Sequence, residues 1–379
     1  KYFCTYHEQG AAIAAEGYAR AKGSLAVVNV SSGPAVTNAL TGVIGQWLDS
    51  VPVLYLSGQV KYETTIGSDP NNLSLRQLGD QEINVIEMVK GVTKYAKMIT
   101  EPQSIKQELD KAVNLATTGR PGPVWLDIPL NVQGALIDEK SLSSEKINNS
   151  SLTIEDDTVS SVINEIKKAK RPIFVAGHGI RIAKAEKEFI KLVDSLKIPV
   201  LSTFNGMDLI SSKSDNFIGR IGTLGSRAGN FALQNADLIV FFGTRNNIRQ
   251  ISYNWSSFGK NAKKIIVDID YAELNKKTIK GDIIIQSDAK DFINKLSAKV
   301  PKSFNIDKKW KEWCLLRKNK YPIVLREHKV SNKNSVNPYF FVEELTTMMS
   351  ENAIIVAGNG SACVVLFQAG IVKSGQRFI

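Results

Sequence analysis

The chain has 379 residues, of which 43% are hydrophobic, 22% charged and 8% aromatic. This composition excludes a disordered or fibrous chain, and the length allows two or three domains. The formal net charge is +11. The basic residues are interspersed with acids, which favours solvated faces over a nucleic-acid-binding surface. No stretch of 18 apolar residues occurs, so no membrane span is predicted.

The cysteines are few and far apart. Cys4, Cys314 and Cys363 form an odd set without C-x-x-C spacing. This pattern argues against a disulfide framework or a cysteine metal site, and it is typical of a reducing cytoplasm. The sequence begins at Lys1 with neither a starting Met nor a leader-like segment. We therefore expect the chain to open inside a domain.

Short apolar runs alternate with longer amphipathic stretches, which predicts parallel, doubly wound α/β sheets. The predicted strands are Leu25–Val30, Val51–Ser57, Val124–Ile128, Ile173–Ala176, Pro199–Ser202, Leu238–Phe242, Lys264–Asp268 and Ala353–Ala357. The predicted helices are Glu8–Lys22, Ser104–Ala116, Thr158–Ala169, Ala183–Leu196 and Pro338–Met349.

Composition divides the chain into five parts. Residues 1–133 form the first domain, and residues 134–157 are polar and aperiodic, as in a linker. Residues 158–297 are a complete domain-sized alternation, and the Lys- and Trp-rich residues 298–336 predict a connecting helix and loop. Residues 337–379 are too few to bury a core alone, so they are interpreted as part of a larger domain.

Glu8 is the first candidate for chemistry. We expect a short strand over residues 2–6, a turn, and then an alanine-rich helix that ends at Gly23. A carboxylate in the first turn of a helix gains roughly 0.3–1 kcal/mol from the helix dipole, which is a sufficient structural reason for Glu8. Its position after a strand also suits a ligand site, because open α/β sheets bind ligands at that edge.

Two further strand ends point to the same edge. Ser31 or Ser32 is suited to cap the next helix, where Gly33 permits close backbone approach and Pro34 suits the first turn. The following strand ends in the polar Gln59. The coincidence of three such junctions predicts one ligand-binding crevice.

These residues belong to an ordered set of motifs that resembles the thiamine-diphosphate (thiamine pyrophosphate) enzymes, and among them the acetolactate synthase (acetohydroxyacid synthase) group. The motifs are His7-Glu-Gln-Gly-Ala11, Ser32-Gly-Pro34, Asp49-Ser50-x-Pro52, Gly58-Gln-Val60, Gly122-Pro-Val-Trp-Leu-Asp-Ile-Pro129, Ala176-Gly-His-Gly179, Gly222-Thr-Leu-Gly225, Gly243-Thr-Arg245, Val267-Asp-Ile-Asp270 and Val356-Ala-Gly-Asn-Gly-Ser361.

The resemblance implies a three-domain fold. Residues 1–133 would be the pyrimidine-binding domain without its first elements, residues 158–297 a central Rossmann-like domain, and residues 337–379 the start of a truncated diphosphate-binding domain. It also implies a transferase that decarboxylates pyruvate and adds the two-carbon unit to a second 2-oxo acid, which the cysteine pattern would place in the cytoplasm. The family's sites lie between subunits, so a homodimer or homotetramer is expected.

The resemblance also assigns roles. Glu8 would hydrogen-bond the aminopyrimidine ring of the cofactor and promote removal of its thiazolium proton, and Gln59 would reach into the substrate cavity. The cofactor-binding residues would be Gly33, Pro34, Asn38, Gly358, Asn359, Gly360 and Ser361. The family's Gly-Asp-Gly metal motif has no match here, so Mg²⁺ ligands are expected beyond residue 379 and no residue of this chain is assigned to a metal.

A flavin is the least constrained of these expectations. Acetolactate synthases bind FAD in the central domain, while other members of the superfamily keep the same turns with no flavin or with ADP. The residues that match the FAD-lining segments are Gly222, Leu224, Gly225, Gly243, Arg245, Asp268 and Asp270. The glycines among them also suit close helix–sheet packing alone.

Two alternatives to a carboligase remain. The turn Gly358-Asn-Gly-Ser361 stands where acetolactate synthases carry Gly-Gln-His-Gln, which favours a decarboxylase or other lyase of the same superfamily. The missing metal motif favours a scaffold protein without turnover. Trp310 and Trp313, three residues apart, are interpreted as anchors of the connecting helix rather than as a nucleic-acid platform.

Overall fold

In the computed structural model, the chain forms two compact units, residues 1–150 (unit 1) and residues 151–379 (unit 2). The structure describes residues 2–69, 71, 74–145, 152–301, 304, 306–330 and 335–379. Among the helices of these residues, none has both the length and the apolar composition needed to cross a bilayer.

Unit 1 is a four-stranded parallel sheet with helices on its faces. The strand order is β1-β2-β4-β3, and every pairing is parallel. Its elements are α1 (Glu8–Lys22), β1 (Ala26–Ser31), α2 (Pro34–Asp49), β2 (Val53–Gln59), α3 (Val85–Val89), β3 (Tyr95–Met98), α4 (Ile105–Thr117), β4 (Val124–Pro129) and α5 (Leu130–Gln133).

Unit 2 contains a six-stranded parallel sheet in the order β10-β9-β8-β5-β6-β7 and a two-stranded parallel pair, β11 and β12. Its elements are α6 (Asp156–Lys168), β5 (Pro172–Ala176), α7 (Gly179–Ile182), α8 (Glu186–Leu196), β6 (Val200–Ser202), β7 (Phe217–Arg220), α9 (Arg227–Asn235), β8 (Leu238–Phe242), α10 (Ile248–Ile251), β9 (Lys263–Asp268), α11 (Tyr271–Leu274), β10 (Ile283–Gln286), α12 (Ala289–Lys299), α13 (Lys308–Lys320), α14 (Pro338–Met348), β11 (Ile354–Ile355), α15 (Ser361–Ala369) and β12 (Arg377–Phe378). The predicted α/β class with parallel sheets is confirmed.

The predicted strand before Glu8 is wrong. Residues 2–7 contain no strand, and Tyr2, Phe3 and Tyr6 are exposed, since no described strand pairs with them. Four strands were not predicted: β3, β7 and β10, which lie at sheet edges, and β12. Edge strands are short and need not be continuously apolar, so their sequences give a weak signal.

The five-part division of the chain stays a prediction. Unit 2 contains both residues 158–297 and residues 337–379. Within the predicted linker and connector, residues 146–151, 302, 303, 305 and 331–334 lie outside the described part of the chain. The predicted connecting helix is present as α13, where Trp310 is buried and donates from Nε1 to the carbonyl of Pro172 at 3.0 Å.

The two helices at the start of unit 1 approach each other closely. A Cβ added to Gly42 of α2 would lie 2.5 Å from the Cβ of Ala12 in α1, so only glycine fits there. One turn further on, the buried Gln46 donates from Nε2 to the carbonyl of Ala12 at 2.9 Å, and its Oε1 accepts from the Tyr55 hydroxyl at 2.9 Å. Helix α1 is therefore fixed to both α2 and β2.

A second buried polar group joins β2 to β4. Tyr55 stacks on Trp125 with ring centroids 4.7 Å apart. The Trp125 indole donates to the Ser57 hydroxyl at 2.8 Å, and that hydroxyl donates to Asp127. Burial is the largest influence on Asp127 and raises its pKa to about 6, above its usual range, against the opposing hydrogen bonds from Ser57 and Gln59.

In unit 2, Arg220 at the end of β7 holds the last turn of α15. Its guanidinium is buried and donates to the carbonyls of Gln368 at 2.9 Å and Gly370 at 2.7 Å. Burial lowers the pKa of Arg220 to about 10, so the group stays charged at neutral pH. A cation at the carboxyl end of a helix is favourably placed against the helix dipole.

The glycine contact between α1 and α2 gives a matched pair of variants. Gly42→Ala should destabilise the protein by roughly 1–3 kcal/mol, because its new methyl group would overlap Ala12. Gly17→Ala, in the interior of α1, should stabilise it by roughly 0.5–1 kcal/mol, because a Cβ there meets nothing within 4 Å. Urea unfolding followed by circular dichroism measures both. Equal effects would show that α1 does not approach α2 this closely.

Asp127 gives a pH-dependent prediction. Because its folded pKa is raised, its contribution to stability is present below the unfolded pKa and is lost as pH rises through about 6. Replacing it with Asn should remove roughly 2 kcal/mol of pH dependence between pH 4 and pH 7. The measurement is the difference in unfolding free energy between the two proteins across that range. A difference that does not vary with pH would contradict the raised pKa.

Candidate functional site

Glu8 is the first residue of α1, and two neighbours fix its local geometry. His7 is the N-cap, with Nδ1 accepting from the backbone N–H of Gln9 at 3.1 Å. Asn38 in α2 donates from Nδ2 to Glu8 Oε2 at 3.1 Å. The Asn38 hydrogen bond is the main influence that holds the pKa of Glu8 below its usual value, and it is supported by a backbone hydrogen bond. Glu8 is thus an ionised, partly exposed carboxylate at neutral pH.

Helix α2, which carries Asn38, begins at the turn that follows β1. The predicted serine cap is wrong: Gly33 is the N-cap, at φ 67° and ψ −126°, and no side chain caps the helix. This backbone conformation is suited to glycine, and a Cβ on Gly33 would lie 2.4 Å from the carbonyl oxygen of Gln81. The Ser32 hydroxyl is buried without a hydrogen-bond partner among the described residues, while Pro34 is exposed at the helix start.

Gln59 ends β2 as expected, but its side chain is buried and bonded to the protein. Only 4% of the residue is exposed. Its Nε2 donates to Asp127 Oδ2 at 3.0 Å and to the carbonyl of Ile83 at 3.3 Å, while its Oε1 accepts from the N–H of Val60 at 3.0 Å. In this unit Gln59 is a member of a buried network, and the role of reaching into a substrate cavity stays a prediction.

Sequence reasoning did not single out Asp127 or Ser57. The signal was available in the apolar β4 run Val-Trp-Leu-Asp-Ile-Pro, where a carboxylate interrupts a strand predicted to be buried. A buried carboxylate requires hydrogen-bond donors, and here Ser57 and Gln59 on the neighbouring strand supply them.

The predicted diphosphate turn precedes α15 in unit 2. Gly360 is the N-cap at φ 90°, and its backbone N–H donates a hydrogen bond to Asn359 Oδ1 at 2.8 Å. A Cβ on Gly358 or Gly360 would meet nothing within 4 Å, so the turn is open on that side. Ser361 is exposed as the first residue of the helix. An exposed helix start with glycines is suited to an anion.

The glycines matched to a flavin site pack against nearby backbone. Gly222 lies at φ 113°, and Asn230 bonds both its N–H and its carbonyl, at 3.1 and 2.9 Å. A Cβ on Gly225 would lie 2.6 Å from the carbonyl oxygen of Arg220, and one on Gly243 would lie 2.7 Å from the Cα of Gly179. Close packing therefore requires these glycines.

The remaining flavin-matched residues also have local partners. The carbonyl of Leu224 accepts from Gln368 Nε2 at 3.1 Å, and the carbonyl of Arg245 accepts from Lys276 Nζ. Asp268 accepts from the N–H of Asp270 at 3.0 Å, and Asp270 caps α11. Their assignment to FAD stays a prediction.

Comparison with known proteins identifies the family. The description "Thiamine pyrophosphate enzyme, N-terminal TPP binding domain" matches residues 1–88, and "Thiamine pyrophosphate enzyme, central domain" matches residues 159–296. The large subunit of acetolactate synthase from Lactococcus lactis is 34% identical over 98% of the chain, and a probable acetolactate synthase large subunit from Methanocaldococcus jannaschii is 34% identical over 92%.

The large subunit of acetolactate synthase isozyme 2 from Escherichia coli is 33% identical over 71% of the chain. The chain spans 62%, 58% and 47% of the lengths of these three relatives, respectively. Both family descriptions name the same cofactor-dependent enzymes, and the similarity to the Lactococcus protein covers almost every residue. The chain therefore belongs to the thiamine pyrophosphate enzyme family and is similar to acetolactate synthase large subunits.

Proposed function

We propose that this chain is part of a thiamine-diphosphate-dependent carboligase of the acetolactate synthase type, which decarboxylates pyruvate and adds the two-carbon unit to a second 2-oxo acid. The observation that carries the proposal is the Glu8 carboxylate, held by Asn38 at the first turn of α1 in a chain of this family. The activity is proposed for the whole protein, because the chain spans 62%, 58% and 47% of the lengths of the three relatives.

The residues of unit 1 suit an aminopyrimidine. When bound, thiamine diphosphate supplies a nucleophilic carbon that attacks the keto group of a 2-oxo acid. Glu8 would accept a hydrogen bond from the cofactor's ring nitrogen, for which an ionised and partly exposed carboxylate is suited. Asn38 would keep that carboxylate in place through its bond to Oε2. Gly33 and Pro34 would bring backbone close to the ring.

The turn of unit 2 suits the diphosphate. The N–H groups at the start of α15 and the helix dipole favour a negative group beside Gly358, Asn359, Gly360 and Ser361. Mg²⁺ belongs to the proposal as the counter-ion of the diphosphate. The described part of the chain offers no group of three or more His, Cys, Asp or Glu for it, so the proposal assigns it no ligand here.

The proposal does not require a flavin. Contacts within unit 2 account for the glycines matched to the FAD segments, which supports the packing interpretation. The absorption spectrum of the purified full-length protein tests this directly, because bound FAD absorbs visible light and thiamine diphosphate does not. We further propose 2-oxo acid substrates and a homodimer or homotetramer, by similarity to acetolactate synthases. The proposed cytoplasmic location rests on the free thiols of Cys4, Cys314 and Cys363.

The role of Glu8 is tested by Glu8→Gln in the full-length protein. We expect this variant to slow exchange of the cofactor's thiazolium proton with solvent by at least about 100-fold, because the amide is a far weaker acceptor of a proton than the carboxylate. Proton NMR of the bound cofactor in heavy water gives the exchange rate.

The matched control is Glu16→Gln, the same change in the same helix. Glu16 bonds Arg20, and we expect its loss to leave the exchange rate unchanged. Undiminished exchange in Glu8→Gln, or equal losses in both variants, would contradict the proposed role of Glu8.

A lyase is the second candidate, because Gly358-Asn-Gly-Ser361 replaces the turn expected of an acetolactate synthase. In the structure Asn359 is bonded within the turn, through Oδ1 to the N–H of Gly360. Incubation of the full-length protein with pyruvate alone separates the two functions. We expect acetolactate as the product, whereas acetaldehyde would identify the decarboxylase. Absence of both products and of cofactor binding would identify a scaffold protein.

A further inference from the structure

The amide of Gln59 is oriented by its surroundings. Its Nε2 faces an acceptor-only carboxylate, Asp127 Oδ2 at 3.0 Å, while its Oε1 faces a donor-only group, the N–H of Val60 at 3.0 Å. The second proton of Nε2 points to the carbonyl of Ile83 at 3.3 Å. The opposite orientation of the amide would place donor against donor at Val60 and acceptor against acceptor at Asp127.

Among the described residues, this arrangement leaves one lone pair of Gln59 Oε1 without a hydrogen bond. An amide carbonyl oxygen has two lone pairs, and an amide nitrogen has two protons. Both protons of Gln59 are used, and among the described residues only Val60 donates to Oε1. Toward a ligand, Gln59 can therefore accept one hydrogen bond and can donate none.

Asp127 is itself held in place from the other side. Its Oδ1 accepts from the Ser57 hydroxyl, and that hydroxyl accepts from the Trp125 indole, so the carboxylate has one defined orientation. The residue is 0% exposed. Burial of a carboxylate is costly, and the nearby Glu82 adds to that cost by raising the same pKa. A charged side chain at position 127 of β4 adds no apolar packing to the core around it.

We propose that Asp127 is a positioning residue that fixes the amide of Gln59 so that Oε1 alone is presented to the ligand. The ligand group is then a hydrogen-bond donor, an amino or hydroxyl group, and not the carboxylate of a 2-oxo acid. The catalytic part of this inference rests on the proposed function, whereas the orientation of the amide does not.

Asp127→Asn breaks the orientation. With Ser57 donating to the Asn oxygen, the Asn nitrogen would face Gln59 Nε2, and two donors would meet. Rotation of the Gln59 amide would relieve this contact but would set its nitrogen against the N–H of Val60. The matched control is Glu108→Gln, the same carboxylate-to-amide change at another buried carboxylate of unit 1, which bonds Tyr95 and Lys97 instead.

The first test is structural and needs no cofactor. In ¹⁵N-labelled full-length protein, the side-chain amide of Gln59, assigned by its absence in Gln59→Ala, should exchange with solvent about tenfold or more slowly than in Asp127→Asn. Glu108→Gln should match the wild type. Equal exchange in wild type and Asp127→Asn would overturn the proposal.

The wild type alone gives a second measurement that does not depend on how well a variant folds. The Gln59 side-chain ¹⁵N shift should change with a midpoint near pH 6 as Asp127 titrates. Glu82 is the other acid that influences Asp127, and it bonds the N–H groups of Ile66 and Leu78 rather than Gln59. A Gln59 shift that stays constant while the Asp127 carboxyl titrates, as followed by the ¹³C shift of that carboxyl, would overturn the proposal.

The kinetic test is a double-mutant cycle in the holoenzyme. Asp127→Asn should lower kcat about tenfold with KM for pyruvate within about twofold, and it should have no more than a twofold effect when Gln59→Ala is already present. Multiplicative effects would show that Asp127 acts on structure in general and would overturn the positioning role. An inactive wild type with a protected Gln59 amide would refute the proposed function and leave the positioning role standing.

Discussion

The close approach of α1 to α2 is the constraint on which the candidate site depends. Within the described part of the chain, Asn38 is the one distant residue that bonds the Glu8 side chain, and the position of Glu8 is set by the helix that begins with it. That helix is fixed where Ala12 meets Gly42 and where Gln46 bonds the Ala12 carbonyl. The functional group is thus positioned by a contact one turn further along its own helix, between residues that have no chemistry to offer a ligand.

The same buried polar groups extend from the α1–α2 contact to Gln59 in unit 1. From Gln46 the contacts continue through the Tyr55 hydroxyl, the stacked ring of Trp125 and the Ser57 hydroxyl to Asp127. Each of these groups has its partner, so the network adds rigidity at little cost in unpaired polar atoms. Hydrogen bonds depend on direction, so this network fixes the orientation of the Asp127 carboxylate and the Gln59 amide, which apolar contacts alone would not fix.

Much of the fold could be predicted from the sequence because its strongest signals are local. The boundaries of α1 and β8 follow directly from a glycine C-cap and from a continuous apolar run. The edge strands β3 and β7 were not predicted because each has four residues that include a charged side chain, whereas the three isoleucines of β10 were a signal that could have been used. For the site, Glu8 could be placed at a helix start, but the burial of Gln59 against Asp127 could not, since it depends on the register of β2 with β4, which pairs Ser57 with Asp127. Register is set by packing across the sheet and has no signature in either strand alone.

The buried guanidinium of Arg220 fixes one end of α15, the helix that follows the glycine turn. The guanidinium hydrogen-bonds the carboxyl end of the helix, at the carbonyls of Gln368 and Gly370. At the amino end, a Cβ added to Gly360 would meet nothing within 4 Å. The helix has nine residues and is about 13 Å long, so this length separates its free backbone N–H groups from the end that Arg220 holds. The carboxyl half of α15 is thus fixed by Arg220 and by the buried Val365 and Phe367, whereas residues 358–362 at its amino end are exposed. A substitution at Arg220 would therefore act on the glycine turn only through the length of this helix.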